Sequence, residues 1–99
     1  MADKDLRWSD RALEENGKLL DYLLSEWGEE IALRIREQID NAAHRIQNSP
    51  EHFQVFIKSR NIRRCVISPQ TSLFFRVHKK EIVIMSIFDN RRSPKKRKL

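Results

Sequence analysis

The sequence predicts an α+β domain, an N-terminal two-helix hairpin packed on one face of a small antiparallel β-sheet. Three observations predict it. Across residues 10–48 apolar side chains recur at helical spacings of three and four. Across residues 62–88 the period falls to two, and β-branched and aromatic residues dominate, as in strands. A single residue, Gly28, separates the two helical runs, and so short a break forces an antiparallel or steeply bent hairpin. Helices first and strands after is the order of a domain whose helices share one sheet face.

Residues 5–8 read as a short strand, with Leu6 and Trp8 alternating with Asp5 and Arg7. Ser9 offers an N-cap hydroxyl, and Asp10, Glu14 and Glu15 put anions in the first turns, where the helix dipole favours them. Ala12, Leu13, Leu19, Leu20, Leu23 and Trp27 form the stripe expected to face the sheet. Glu29 and Glu30 open the second helix, and Ile31, Ile35, Ile39, Ala42, Ala43 and Ile46 share its apolar face. Asn48, Ser49 and Pro50 stop it. Residues 50–61 read as a connector whose Phe53, Val55 and Phe56 must dock on the rest. Strands follow at 62–67, 71–78 and 81–88, joined by turns short enough for hairpins. In the middle strand Leu73, Phe75 and Val77 are expected beneath the helices. Ser72, Phe74, Arg76 and His78 then face away, with either Arg63 or Arg64 beside them.

The net charge of +6 conceals an asymmetry. Residues 1–50 hold 7 Lys/Arg and 11 Asp/Glu, whereas residues 51–99 hold 13 and 3. The second half, at +10 against −4, points to an acidic or polyanionic partner. A single cysteine, Cys65, rules out an internal disulfide and suits a reducing compartment. The first residues carry no apolar run of a signal peptide, and no stretch approaches the roughly 18 apolar residues of a membrane span. A cytoplasmic location is therefore expected. The three histidines, His44, His52 and His78, and the cysteine lie far apart, so neither a metal site nor a cofactor is expected. His78 is the strand imidazole able to move a proton near neutral pH.

Four segments together resemble the RelE/ParE toxin family of bacterial type II toxin–antitoxin modules. They are "WSDRALEENGKLLDYL", "RNIRRCVI", "TSLFFRVHKKEIVIMSIF" and "DNRRSP". The resemblance spans roughly residues 5–96, nearly the whole chain; residues 1–94 are expected to be one toxin domain, with residues 95–99 as a flexible basic tail. It implies a helical hairpin on an antiparallel sheet, a cognate antitoxin as partner, and one of two targets. RelE-like members cleave mRNA on the ribosome, whereas ParE-like members inhibit DNA gyrase. RelE-type cleavage uses no metal but sets cations on adjacent strands, an arginine at the last strand's end and a tyrosine nearby. On that pattern Arg63, Arg64, Arg76, Arg91, Arg92 and His78 are the candidate site residues. Ser72 stands where an arginine belongs, and the one tyrosine, Tyr22, falls in the first helix, away from the expected position. The ending "IFDNRRSP" is nearer the ParE-like members.

Asp89 and Asn90 end the last strand and Pro94 stops further pairing, so Arg91 and Arg92 are expected at the sheet's rim. A guanidinium there can grip phosphate or carboxylate bidentately. An alternative role for Asp89 is to pair with one of them and fix the turn. The antitoxin is expected to dock an amphipathic segment and lay acidic residues near Arg63, Arg64, Arg76 and Arg91. A second class of reading is a non-toxic nucleic-acid-binding module, in which Phe74 on the arginine face stacks a base.

Overall fold

A computed structural model describes residues 4–91, with two helices on one side of a five-stranded sheet among them. In chain order the elements are β1 (Asp5–Trp8), α1 (Asp10–Trp27), α2 (Glu29–Asn48), β2 (Gln54–Ile57), β3 (Ile62–Val66), β4 (Thr71–Val77) and β5 (Glu81–Asp89). Single 3₁₀ turns, Pro50–His52 and Lys58–Arg60, flank β2. The strands lie in the order β1-β5-β4-β3-β2.

The sheet is mixed, where an antiparallel one was expected. β2 to β5 form an antiparallel meander, but β1 runs parallel to β5, with Leu6 opposite Ile82. Parallel neighbours need a long crossover between them, and here the helical hairpin and the meander intervene. The connector also contains β2, whose register shifts between Val55 and Ile57. Four residues are too few to show a period, and a short, bulged strand is a common sheet edge.

Ser9, the N-cap of α1, and Glu15 within it fix the helix to the sheet. The Ser9 hydroxyl accepts the Ala12 N–H at 3.0 Å and donates to the Met85 carbonyl at 3.1 Å, so one N-cap closes the helix and ties it to β5. Beyond Trp8 the outer edge of β5 has no strand beside it. There Glu15 accepts the Ile87 N–H at 3.2 Å and the Ser86 hydroxyl at 2.8 Å, satisfying backbone that would otherwise lack a partner. Between the helices Gly28 takes φ +95, a conformation that side chains rarely adopt, and so turns the chain within one residue.

The main core is built from Ala12, Leu19 and Leu23 of α1, Ile35, Ile39, Ala42 and Ile46 of α2, and Leu73, Phe75, Ile82, Ile84 and Ile87 of the sheet. The expected alternation of β4 holds. The α1 stripe needs correction: Leu20 is half-buried, Leu13 is 55% exposed and Trp27 50%. At 3.6 residues per turn, Leu13, Leu20 and Leu24 sit about 100° round the helix from Ala12, Leu19 and Leu23. They form a second stripe, which the spacing rule merged with the first. The other sheet face has a small core of its own. Ile62, Phe74 and Val83 are buried there, with the Phe56 ring 4.8 Å from that of Phe74. Burying such a ring fully is worth roughly 1.5–3 kcal/mol, so this face contributes to the fold as well as displaying charge.

Candidate functional site

Of the six nominated residues, Arg63, Arg64, Arg76, His78 and Arg91 lie among the described residues. Arg92 lies outside them, as does the basic run 95–99. The five do not meet at one place.

Arg91 follows β5 at the end of the sheet where Thr71 stands opposite Asp89. The Asp89 side chain is 1% exposed. Its carboxylate accepts from Arg91 Nη2 at 2.7 Å, Arg91 Nε at 3.0 Å, the Arg91 backbone N–H at 2.9 Å and the Thr71 hydroxyl at 2.6 Å. Burial pushes this carboxyl up, but the four donors outweigh it and hold the group below its ordinary value. The guanidinium is held above its own ordinary value by its hydrogen bonds to Asp89, against desolvation. It lies 5.5 Å from the Trp27 ring centroid, within cation–π range, and its side chain is 16% exposed. The expectation of a rim arginine free to grip an external anion is corrected here: Arg91 grips Asp89 of its own chain. Trp27 is half-exposed because it covers this pair at the end of α1 and does not enter the core.

The tyrosine expected to be absent from the sheet's end is present. Tyr22 reaches over from α1 and donates its hydroxyl to the Arg91 carbonyl at 3.2 Å, while Trp27 Nε1–H donates to Tyr22 Oη at 3.5 Å. Sequence distance hid it, because the residues bonded here are 69 apart. The one local sign was Asp89, two positions before Arg91.

Arg64 and Arg76 occupy the face away from the helices. Arg64, opposite Phe74, donates from Nε to Ser72 Oγ at 3.1 Å. Arg76, between Ile62 and Val83, is half-exposed and has no ion pair or side-chain hydrogen bond among the described residues. Phe74, expected to offer a ring for base stacking, is 0% exposed beneath Phe56. That removes the stacking platform of the nucleic-acid reading. Arg63 points the other way, opposite Phe75, and donates to the Phe53 carbonyl at 2.7 Å. His78 follows β4 at the end away from Thr71, about 20 Å along the strand at 3.3 Å per residue. Cys65 is 1% exposed and its thiol is pushed up by desolvation, so it is a core residue without thiolate character. Among the described residues no group of three His, Cys, Asp or Glu could hold a metal ion.

On the outer side of the hairpin, Leu20, Leu24, Ala32 and Leu33 line a groove of about 340 Å³, rimmed by Asp21, Glu29 and Arg36. Leu20 and Leu24 come from the second stripe of α1, and Ala32 and Leu33 from the start of α2.

A family model described as the ParE toxin of the type II toxin–antitoxin system parDE matches residues 6–94. Among solved structures, the chromosomal ParDE toxin–antitoxin system from P. aeruginosa superposes with a TM-score of 0.74 at 22% identity, covering 90% of this chain and 98% of that one. The E. coli DinJ-YafQ toxin–antitoxin complex follows with 0.61 at 8% identity, covering 92% and 97%. A conserved hypothetical protein from Helicobacter pylori gives 0.55 at 16% identity, covering 89% and 96%. No match was found among curated proteins.

Proposed function

The chain belongs to the ParE toxin family of type II toxin–antitoxin systems, and from that premise we propose that it inhibits growth by binding DNA gyrase and does not cut ribosome-bound mRNA. The observation that carries this choice is the dispersal of the candidate groups. Cleaving RNA without a metal requires a base for the 2′-hydroxyl, a cation for the phosphate and an acid for the leaving oxygen, all within hydrogen-bond reach of one phosphodiester. Here the sheet-end arginine is committed to Asp89, Arg63 and Arg64 face opposite ways, and His78 is at the other end of β4. Binding a protein target asks for no such convergence.

The reading includes a cognate antitoxin, whose amphipathic segment anchors its apolar side chains in the Leu20–Leu24–Leu33 groove. Acidic residues of that antitoxin meet Arg76, which has no ion pair among the described residues, and its neighbour Arg64. Association should slow with added salt, because exposed charges are screened within about 8–10 Å at physiological ionic strength. Both partners are cytoplasmic, so the reading puts the chain there too; among the described residues no helix is long and apolar enough to cross a membrane. Residues 1–94 act as the toxin domain, and 95–99 add salt-sensitive attraction.

The test sets gyrase supercoiling beside ribosome-dependent mRNA cleavage, with and without the antitoxin. The expected result is loss of supercoiling, intact mRNA, and recovery when antitoxin is added. Cut mRNA with supercoiling untouched would overturn the choice of target.

A further inference from the structure

The end of the sheet away from Asp89 holds a cleft of about 590 Å³. Lys4 at the head of β1, Gln47 in the last turn of α2, and Asn61 and Arg63 at the entry to β3 supply its polar wall. Val77 and Ile82 supply an apolar one, and Glu51 also lines the cleft, its exposed carboxylate 4.0 Å from His52 Nε2. Each polar group is anchored to backbone. Lys4 Nζ donates to the His78 carbonyl at 2.8 Å, Gln47 Nε2 to the Lys4 carbonyl at 3.0 Å, and Asn61 Nδ2 to the Val77 carbonyl at 2.7 Å. Arg63 donates from Nη1 to the carbonyls of Phe53 and Glu51, at 2.7 and 3.4 Å.

Donor counting shows what is left over. An ammonium has three N–H groups and a guanidinium five. Lys4 therefore keeps two after its bond to His78, and Arg63 keeps those on Nε and Nη2. Among the described residues no carboxylate pairs with either cation. Both charges are half-buried, fixed in place by neutral carbonyls, and still have donors to give. A group that completes them pays little to order them. Four exposed cations, Lys58, Arg60, Lys79 and Lys80, stand in the turns at this same end, and none is in an ion pair among the described residues. Their field draws an anion toward the cleft.

We infer that this cleft binds an acidic peptide segment of a partner protein, with one carboxylate bridging Lys4 and Arg63 and a neighbouring aliphatic side chain covering Val77 and Ile82. The apolar wall favours peptide over nucleic acid. No aromatic ring lines the cleft to stack a base, whereas an aliphatic side chain beside a carboxylate matches both walls at once. The site does not depend on the choice of target, because its chemistry belongs to this end of the sheet alone.

The experiment titrates the full-length, isotope-labelled chain with an acetylated, amidated Glu-Leu-Glu-Ile-Glu peptide and follows backbone amide resonances. A peptide with Gln in place of Glu and a short oligothymidylate are the comparisons. The acidic peptide should give saturable shifts at Lys4, Gln47, Asn61 and Val77, and the Gln peptide none. Lys4→Gln should weaken binding about tenfold, the worth of one charge-assisted hydrogen bond. Arg34→Gln, exposed on α2 and lining neither the cleft nor the groove, should leave it unchanged. The inference fails if the Gln peptide binds equally well, if the oligothymidylate binds more tightly, if the shifts gather around Arg64 and Arg76, or if none saturates. None of these outcomes bears on gyrase, so the two readings fail separately.

Discussion

At one end of the sheet an arginine meets a carboxylate; at the other an arginine meets two carbonyl oxygens. Arg91 and Asp89 neutralise each other under Trp27, with Thr71 and Tyr22 taking up the remaining polar groups around them. Arg63 and Lys4 are held as firmly, but by neutral partners, and keep their charge. The comparison teaches that cation counts along a chain do not locate a binding surface. What matters is whether the fold delivers an acid to each cation. The second half of the chain has 3 acidic residues for 13 cations, and the fold gives Asp89 to Arg91 while Glu81 goes to Arg7 on β1.

The largest expected effect comes from breaking the satisfied end. Arg91→Ala leaves Asp89 buried without its counter-charge, and losing one partner of such a pair costs about 3 kcal/mol. In a domain of this size that lowers the thermal midpoint by roughly 12 °C or more. A midpoint within experimental error of the natural chain would mean that the pair contributes nothing to the fold. Acid should find the same end. The Asp89 carboxyl titrates lower folded than unfolded, so its stabilisation is complete above the unfolded value of about 3.9 and is lost as pH falls through the folded value. Asp89→Asn should therefore lose less stability than the natural chain between pH 5 and the acid limit, roughly by the size of that linkage. Lys4→Gln at the other end should follow the natural profile, and identical acid profiles for all three would remove Asp89 as the source.

The fold was largely legible because its signals are local. The Gly28 break, the Ser9 cap and the alternation of Leu73, Phe75 and Val77 lie in single short windows, and each appears where expected. What stayed hidden is long-range. β1 pairs with a strand 76 positions later, and nothing within four residues can reveal a parallel partner. The site was less legible still. Tyr22 meets Arg91, and Lys4 and Arg63 come to line one cleft, only once the chain has folded, and a charge in sequence looks the same whether the fold pairs it or not. The α1 stripe shows a third limit, since spacings of three and four admit two faces about 100° apart.

Smaller effects sharpen the contrast. Tyr22→Phe removes one hydrogen bond to the Arg91 carbonyl and keeps the ring, so it should cost about 1 kcal/mol, read in denaturant unfolding. No loss would show that the ring's packing alone holds this corner. Lys79→Ala, in the exposed turn at the open end, should change stability by less than about 0.5 kcal/mol, and a larger loss would reveal a structural partner for that lysine.

The account turns on Arg91 being committed inside the fold, and a double-mutant cycle over Asp89 and Arg91 measures that most directly. Unfolding free energies of the natural chain, Asp89→Asn, Arg91→Gln and the double variant give the coupling between the two side chains. Residues in one charged, buried network couple by about 0.5–3 kcal/mol, and four donors on one carboxylate should put this pair in the upper half of that range. A coupling of about 2 kcal/mol is the predicted result. A value near zero, below the error of about 0.3 kcal/mol that separates independent sites, would contradict it and return Arg91 to the set of free cations that face a partner.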